Sequence, residues 1–168
     1  MELWDVYNEK RQPLGKVHQR GIPMKRGEYH VSVFVWVFNS KGEVLLTKRS
    51  PEKRSFPNMW ALTGGAVQAG ETSLAAVQRE LSEETGIRAE QAEFSLIMTF
   101  LRKDYFCDVY FLKKDVPLAD LTMLEGETCD ALWIDRAGFE QMIRQKQIAS
   151  PDVNSYHELR GKLKDWLK

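Results

Sequence analysis

Two rhythms of apolar residues run along the chain and divide it into strands and helices. From Tyr29 to Phe38 (YHVSVFVWVF) β-branched and aromatic residues dominate, with apolar side chains on both faces from Val33 onward, which predicts a central strand covered on two sides. Asn39-Ser40-Lys41-Gly42 reads as a turn and Glu43 to Arg49 as the returning strand. Pro51 to Pro57 is a polar, Pro-bounded loop leading into Met59-Trp60-Ala61-Leu62. Thr72 to Thr85 is the clearest helix, stopped by Gly86 where a C-terminal cap prefers glycine. Phe94 to Leu101 and Tyr105 to Leu112 form a hairpin pattern around Arg102-Lys103-Asp104, and Ala131 to Asp135 reads as another strand. Two further helices are expected, over Arg136 to Gln145 and from Ser150 as N-cap, with Pro151 in the first turn, to Leu167. At the start, Glu2 to Asn8 reads as a short strand and Pro13 to Gly27 as a Gly/Pro-punctuated segment. Both look peripheral, so residues 1 to 28 are read as an N-terminal extension packed on the rest. Strands and helices mix without regular βαβ alternation, which favours an α+β, layered mixed-sheet fold over a doubly wound one.

Length and composition narrow this without changing it. A chain of 168 residues and 19.5 kDa suits one domain spanning 1–168. Lys and Arg number 24 and Asp and Glu 24, so no net basic excess exists to hold polymeric nucleic acid or an anionic membrane. The two cysteines, Cys107 and Cys129, have neither CxxC spacing nor paired histidines nearby, which argues against a disulfide framework or a zinc site and suits the cytoplasm. No leader-like N-terminus and no membrane-length apolar run is present. Charge is uneven along the chain: residues 1 to 54 carry 11 Lys/Arg against 6 acids, the remainder 13 against 18. A basic segment over an acidic one suits an anionic ligand held beside a carboxylate-bound cation; solvated loop charges are the plainer reading.

The candidate chemistry is concentrated in residues 65 to 87, from Gly65-Ala66-Val67-Gln68-Ala69-Gly70-Glu71 to Arg79-Glu80-Leu81-Ser82-Glu83-Glu84-Thr85-Gly86-Ile87. At about 100° per residue, Leu74, Val77 and Leu81 form an apolar stripe and Glu80, Glu83 and Glu84 fan out beside it. Glu80 forms like-charge pairs with Glu83 and Glu84 at i,i+3 and i,i+4, and the latter two sit at the helix end that disfavours anions. A divalent cation reverses all of these penalties. Oxygen donors without His or Cys select Mg²⁺ or Mn²⁺ over zinc. Taken alone, the carboxylates also fit an ordinary solvated helix face.

The spacing settles between these readings. Gly, five residues, Glu, seven residues, then Arg-Glu-apolar-any-Glu-Glu-any-Gly-apolar resembles the Nudix box of the MutT/Nudix hydrolases, with every fixed position matched. The resemblance implies an α/β/α sandwich with a mixed β-sheet between helices. It implies Mg²⁺, with Mn²⁺ possible, on Glu80, Glu83 and Glu84 and on the carbonyl of Gly64, and a structural ion pair between Glu71 and Arg79. It also implies hydrolysis of a diphosphate bond in a nucleoside diphosphate-type substrate, a small phosphorylated molecule. Flanking residues, including Glu2-Leu3-Trp4-Asp5-Val6-Tyr7 and Gly27-Glu28-Tyr29-His30, are similar to the branch of type I isopentenyl-diphosphate isomerases. That pattern, however, has a catalytic Cys at Gly64 and a metal-binding His at Ala66, and its paired glutamates are missing from YFCDVYFL. An isomerase-like enzyme and a non-catalytic nucleotide-binding module remain the alternative readings.

Outside the box, Lys48, Arg49, Lys53 and Arg54 are placed to meet diphosphate oxygens, Arg49 through a bidentate fork. Trp60 reads as core packing or as a ring stacking on substrate, His30 as a satisfied, partly buried side chain, and Cys107 as an inert buried thiol. Trp36, Trp133 and Trp166 read as core. For activating water, Glu127 is favoured over Glu125, both having no obvious pairing partner in sequence, with Glu83 as the box alternative and Glu84 beside it.

Overall fold

The computed structural model describes residues 1–162. The first strand, β1 (Leu3–Tyr7), pairs antiparallel with β2 (Pro13–Gln19) as a separate two-stranded sheet. Seven strands form the main sheet: β3 (His30–Phe38), β4 (Val44–Arg49), β5 (Trp60–Ala61), β6 (Thr63–Ala66), β7 (Ser95–Leu101), β8 (Tyr105–Lys113) and β9 (Thr128–Ile134). Their order is β5-β4-β3-β8-β7, with β6 also on β3 and β9 on β4. The sheet is mixed. β4 runs antiparallel to β5 and β9, whereas β3 and β8 run the same way, joined by His30 N–H to the Asp104 carbonyl at one end and Lys114 N–H to the Phe38 carbonyl at the other. With the helices α1 (Ser73–Thr85), α2 (Arg136–Arg144) and α3 (Ser150–Leu159) this is the α/β/α sandwich class. Among the described residues no helix is long and apolar enough to cross a membrane.

Two compact units are each built from three chain segments. The first holds Met1–Val35, Gly64–Ser82 and Arg88–Phe111, and its core includes Val33, Val77, Leu81, Phe100 and Val109. The second holds Trp36–Thr63, Glu83–Ile87 and, of the described residues, 112–162. Its centre is an aromatic cluster, with Trp36 5.6 Å from Phe139 and Phe139 5.2 Å from Tyr156 between ring centroids.

Four expectations need correction. Pro13–Gln19 is a strand and not an irregular segment; its side chains are nearly all exposed, so no buried face writes an alternation into the sequence. The glycine-rich stretch, given no regular element above, forms β6, because pairing with β3 overrides the low strand propensity of glycine. β9 starts at Thr128, three residues before the expected Ala131. The cap of α3 is Ala149, with Ser150 already helical. The expected end of this helix at Leu167 and the core reading of Trp166 lie outside the described residues.

Candidate functional site

Helix α1 is set from both ends by local chemistry. Thr72 accepts the Ala75 N–H on Oγ1 at 3.1 Å, the bond expected of an N-cap. At the other end Gly86 takes φ +73, and Thr122 N–H bonds the Thr85 carbonyl at 2.9 Å. Val77 and Leu81 are fully buried and Leu74 half-buried, as the apolar stripe requires. The buried face is wider than expected and takes in Ala76 and Thr85.

In the first unit, Arg79 is the hub of the box. Its Nε and Nη2 donate to the two oxygens of Glu71, each at 2.9 Å, and its Nη1 donates to Glu80 Oε1 at 2.8 Å. Nη2 also reaches the Ala66 carbonyl at 3.2 Å, and Gln68 N–H donates to Glu71 at 3.0 Å. Burial pushes the Glu71 carboxyl up, but the Arg79 guanidinium and the Gln68 amide outweigh it and hold it below its ordinary value. Chiefly through the Glu71 hydrogen bond, the Arg79 pKa is raised, so it stays charged at every working pH.

Two glycines decide where Glu80 goes. A Cβ on Gly65 would lie 2.3 Å from Glu80 Oε1, so the carboxylate occupies the space a side chain would take and rests against that backbone. A Cβ on Gly64 would meet the Val33 carbonyl oxygen at 2.2 Å. No residue with a side chain fits there without moving β3, and that includes the cysteine of the isomerase pattern.

In the second unit, Glu83 is exposed and Glu84 half-buried, and the Glu84 carbonyl accepts Thr128 Oγ1–H at 3.1 Å, next to Glu127. Glu127 is paired, contrary to expectation: its carboxylate forms an ion pair with Lys53, and its carbonyl accepts Ser50 N–H at 2.9 Å. Lys48 lies over the ring of Trp60 at 5.9 Å and pairs with it across β4 and β5; Trp60 is half-buried and not part of the core. Trp133 is also half-buried and donates to the Val116 carbonyl at 3.0 Å. Arg49 donates to the Ser55 carbonyl at 2.9 Å and to Ser55 Oγ at 3.3 Å, stapling its own loop. Glu125 is exposed. Among the described residues no three His, Cys, Asp or Glu side chains close on one point as a finished metal cage.

His30 is not satisfied as expected. It stacks on Trp4 with 4.0 Å between centroids, its buried Nδ1 has no hydrogen bond, and burial lowers its pKa. Sequence reasoning passed over two buried carboxylates. Asp108 in β8 accepts both arms of Arg11, and Asp152 in α3 accepts Leu62 N–H at 3.2 Å. The signal for the first was a lone charge in the apolar run YFCDVYFL; the second had none.

Comparison with known proteins bears on the family and the fold. The NUDIX domain family matches residues 28–157. An uncharacterised Nudix hydrolase of Listeria monocytogenes is 38% identical over 143 residues, covering 84% of this chain and 85% of that protein. An isopentenyl-diphosphate delta-isomerase of Paenarthrobacter aurescens is 33% identical over only 96 residues, 56% of this chain and 52% of that one. A Deinococcus radiodurans protein of known crystal structure superposes with a TM-score of 0.74 at 27% identity, covering 88% of this chain and 92% of that one. With a family match over most of its length and a hydrolase relative covering most of both chains, the chain belongs to the Nudix hydrolase family.

Proposed function

We propose that this enzyme hydrolyses the diphosphate bond of a small nucleoside diphosphate-type substrate, using Mg²⁺ or Mn²⁺ held by Glu80, Glu83, Glu84 and the Gly64 carbonyl. The observation that carries the reading is the Glu80 carboxylate seated against the Gly65 backbone, in space that only glycine leaves open. The donors of this set are all hard oxygens, which fits such a cation. When bound, the cation neutralises charge on the phosphate oxygens and makes attacking water more acidic.

The chain's own groups have distinct tasks in this reading. Glu71 and Arg79 form a rigid bidentate pair that holds the loop on the helix and orients Glu80. Lys48 and Arg49 meet phosphate oxygens from the end of β4, and Trp60 offers a ring face beside them. Glu127 takes the proton of the attacking water, its side chain steadied by Lys53. Sparse cysteine usage, with one buried thiol and one exposed, suits a reducing cytoplasm.

The test is a panel of nucleoside diphosphates, triphosphates and conjugates with Mg²⁺, run beside isopentenyl diphosphate. Metal-dependent cleavage of a diphosphate linkage is expected. Isomer formation, or tight binding without turnover, would overturn the reading in favour of one of its alternatives.

A further inference from the structure

We propose that the N-terminal hairpin, β1 with β2, is a positioning element for the box, fixing both its loop and the first turn of its helix. The family match starts at residue 28, so the hairpin lies outside it. Two of its contacts nevertheless reach the box directly. Ala69 N–H donates to the Leu3 carbonyl at 2.8 Å, and Gly70 N–H donates to Asp5 Oδ2, also at 2.8 Å. Two successive amides of the box loop are therefore held by β1.

The second anchor is electrostatic. Arg11, in the turn between β1 and β2, sends its two guanidinium nitrogens to the two oxygens of Asp108 at 2.6 and 2.5 Å. Asp108 is 2% exposed. It also accepts Thr99 Oγ1–H at 2.7 Å and Ser73 Oγ–H at 2.5 Å, and Ser73 is the first residue of α1. Burial pushes the Asp108 carboxyl up, but these donors together hold it below its ordinary value. Arg11 reaches it from a left-handed backbone, φ +58, a conformation that side chains disfavour and that the fork to Asp108 offsets. Tyr7 and Tyr29 exchange backbone bonds at 2.8 and 2.9 Å, tying the hairpin to the start of β3. The loop that contains Glu71 and the helix that contains Glu80 are thus held from one side by the same hairpin.

The catalytic consequence rests on the glutamates being cation ligands; the anchoring does not. Three full-length variants test both: Asp5→Ala, Arg11→Lys, and Arg11→Met combined with Asp108→Asn, which leaves no buried charge unpaired. Amide exchange at Ala69 and Gly70 should rise about tenfold or more in Asp5→Ala and in the double variant. Mn²⁺ affinity, read by electron paramagnetic resonance without substrate, should fall about tenfold, with Arg11→Lys intermediate. Variants that melt cooperatively yet keep wild-type exchange, or that exchange faster with unchanged Mn²⁺ affinity, overturn the proposal. If the double variant does not fold, Asp5→Ala decides on the same two readouts. A wild-type protein that fails to bind Mn²⁺ sinks the proposed function instead, and exchange alone then decides the anchoring.

Discussion

Asp152 is a carboxylate out of reach of solvent that accepts the Leu62 N–H, and burial pushes its pKa up to about 7. One turn along α3, Ser155 Oγ is buried without a hydrogen bond. Because the unfolded carboxyl titrates at 3.8, the folded state binds more protons between that value and about 7. Stability contributed by the neutral acid is full below pH 3.8 and is lost as pH rises through about 7. Asp152→Asn should therefore match the wild type in urea melts near pH 4 and exceed it near pH 8, by a few kcal/mol, since one pKa unit is worth about 1.4. At the proposed cation site the charge itself is what the reading requires. Glu84→Gln keeps the shape of the side chain and removes its charge, so kcat should fall roughly a hundredfold or more while the melting temperature without metal stays near wild type. For Glu127→Gln, kcat should drop with Mn²⁺ affinity unchanged, and a wild-type pH-rate profile in that variant would move the base to Glu125 or Glu83.

At the level of elements, the two glycines of β6 make opposite demands. At Gly64 a methyl would meet the backbone oxygen of Val33 on β3, which cannot give without shifting a core strand. Gly64→Ala is expected to cost about 1–3 kcal/mol or more in a thermal or urea melt. At Gly65 the methyl would meet the far end of the Glu80 side chain, which can swing away. Gly65→Ala should therefore fold with near-normal stability and lose Mn²⁺ affinity. Equal loss of stability in both variants would show that Glu80 is not seated by the missing side chain. The wide buried face of α1 explains why its carboxylates are confined to one edge: Ala76, Val77, Leu81 and Thr85 are all buried, so only the remaining face is open to charge.

For the molecule as a whole, a cation that binds only the folded carboxylates adds stability by mass action, about 2.7 kcal/mol at a hundredfold excess over Kd. For a chain of this size that raises Tm by roughly 5–10 °C. Melts with millimolar Mg²⁺, with Mn²⁺ and with chelator should separate accordingly, and superimposable melts would mark the glutamates as a solvated helix face. The sequence by itself determined the family, the helix with its three glutamates, and the strands β3, β4, β7 and β8. Each of these is written in neighbouring residues: a spacing of glycines and charges, a 3.6-residue stripe, a run of β-branched side chains. Tertiary structure alone decided the rest. Arg11 meets Asp108 across 97 residues and Lys53 meets Glu127 across 74, and neither partner bears any local mark of the other. The strand of Gly64 exists because β3 lies against it, and β2 is too exposed to show an alternation. Local pattern reports which face of a segment is buried; it does not report which distant segment buries it, because that choice is made by packing and charge pairing only once the chain has closed on itself.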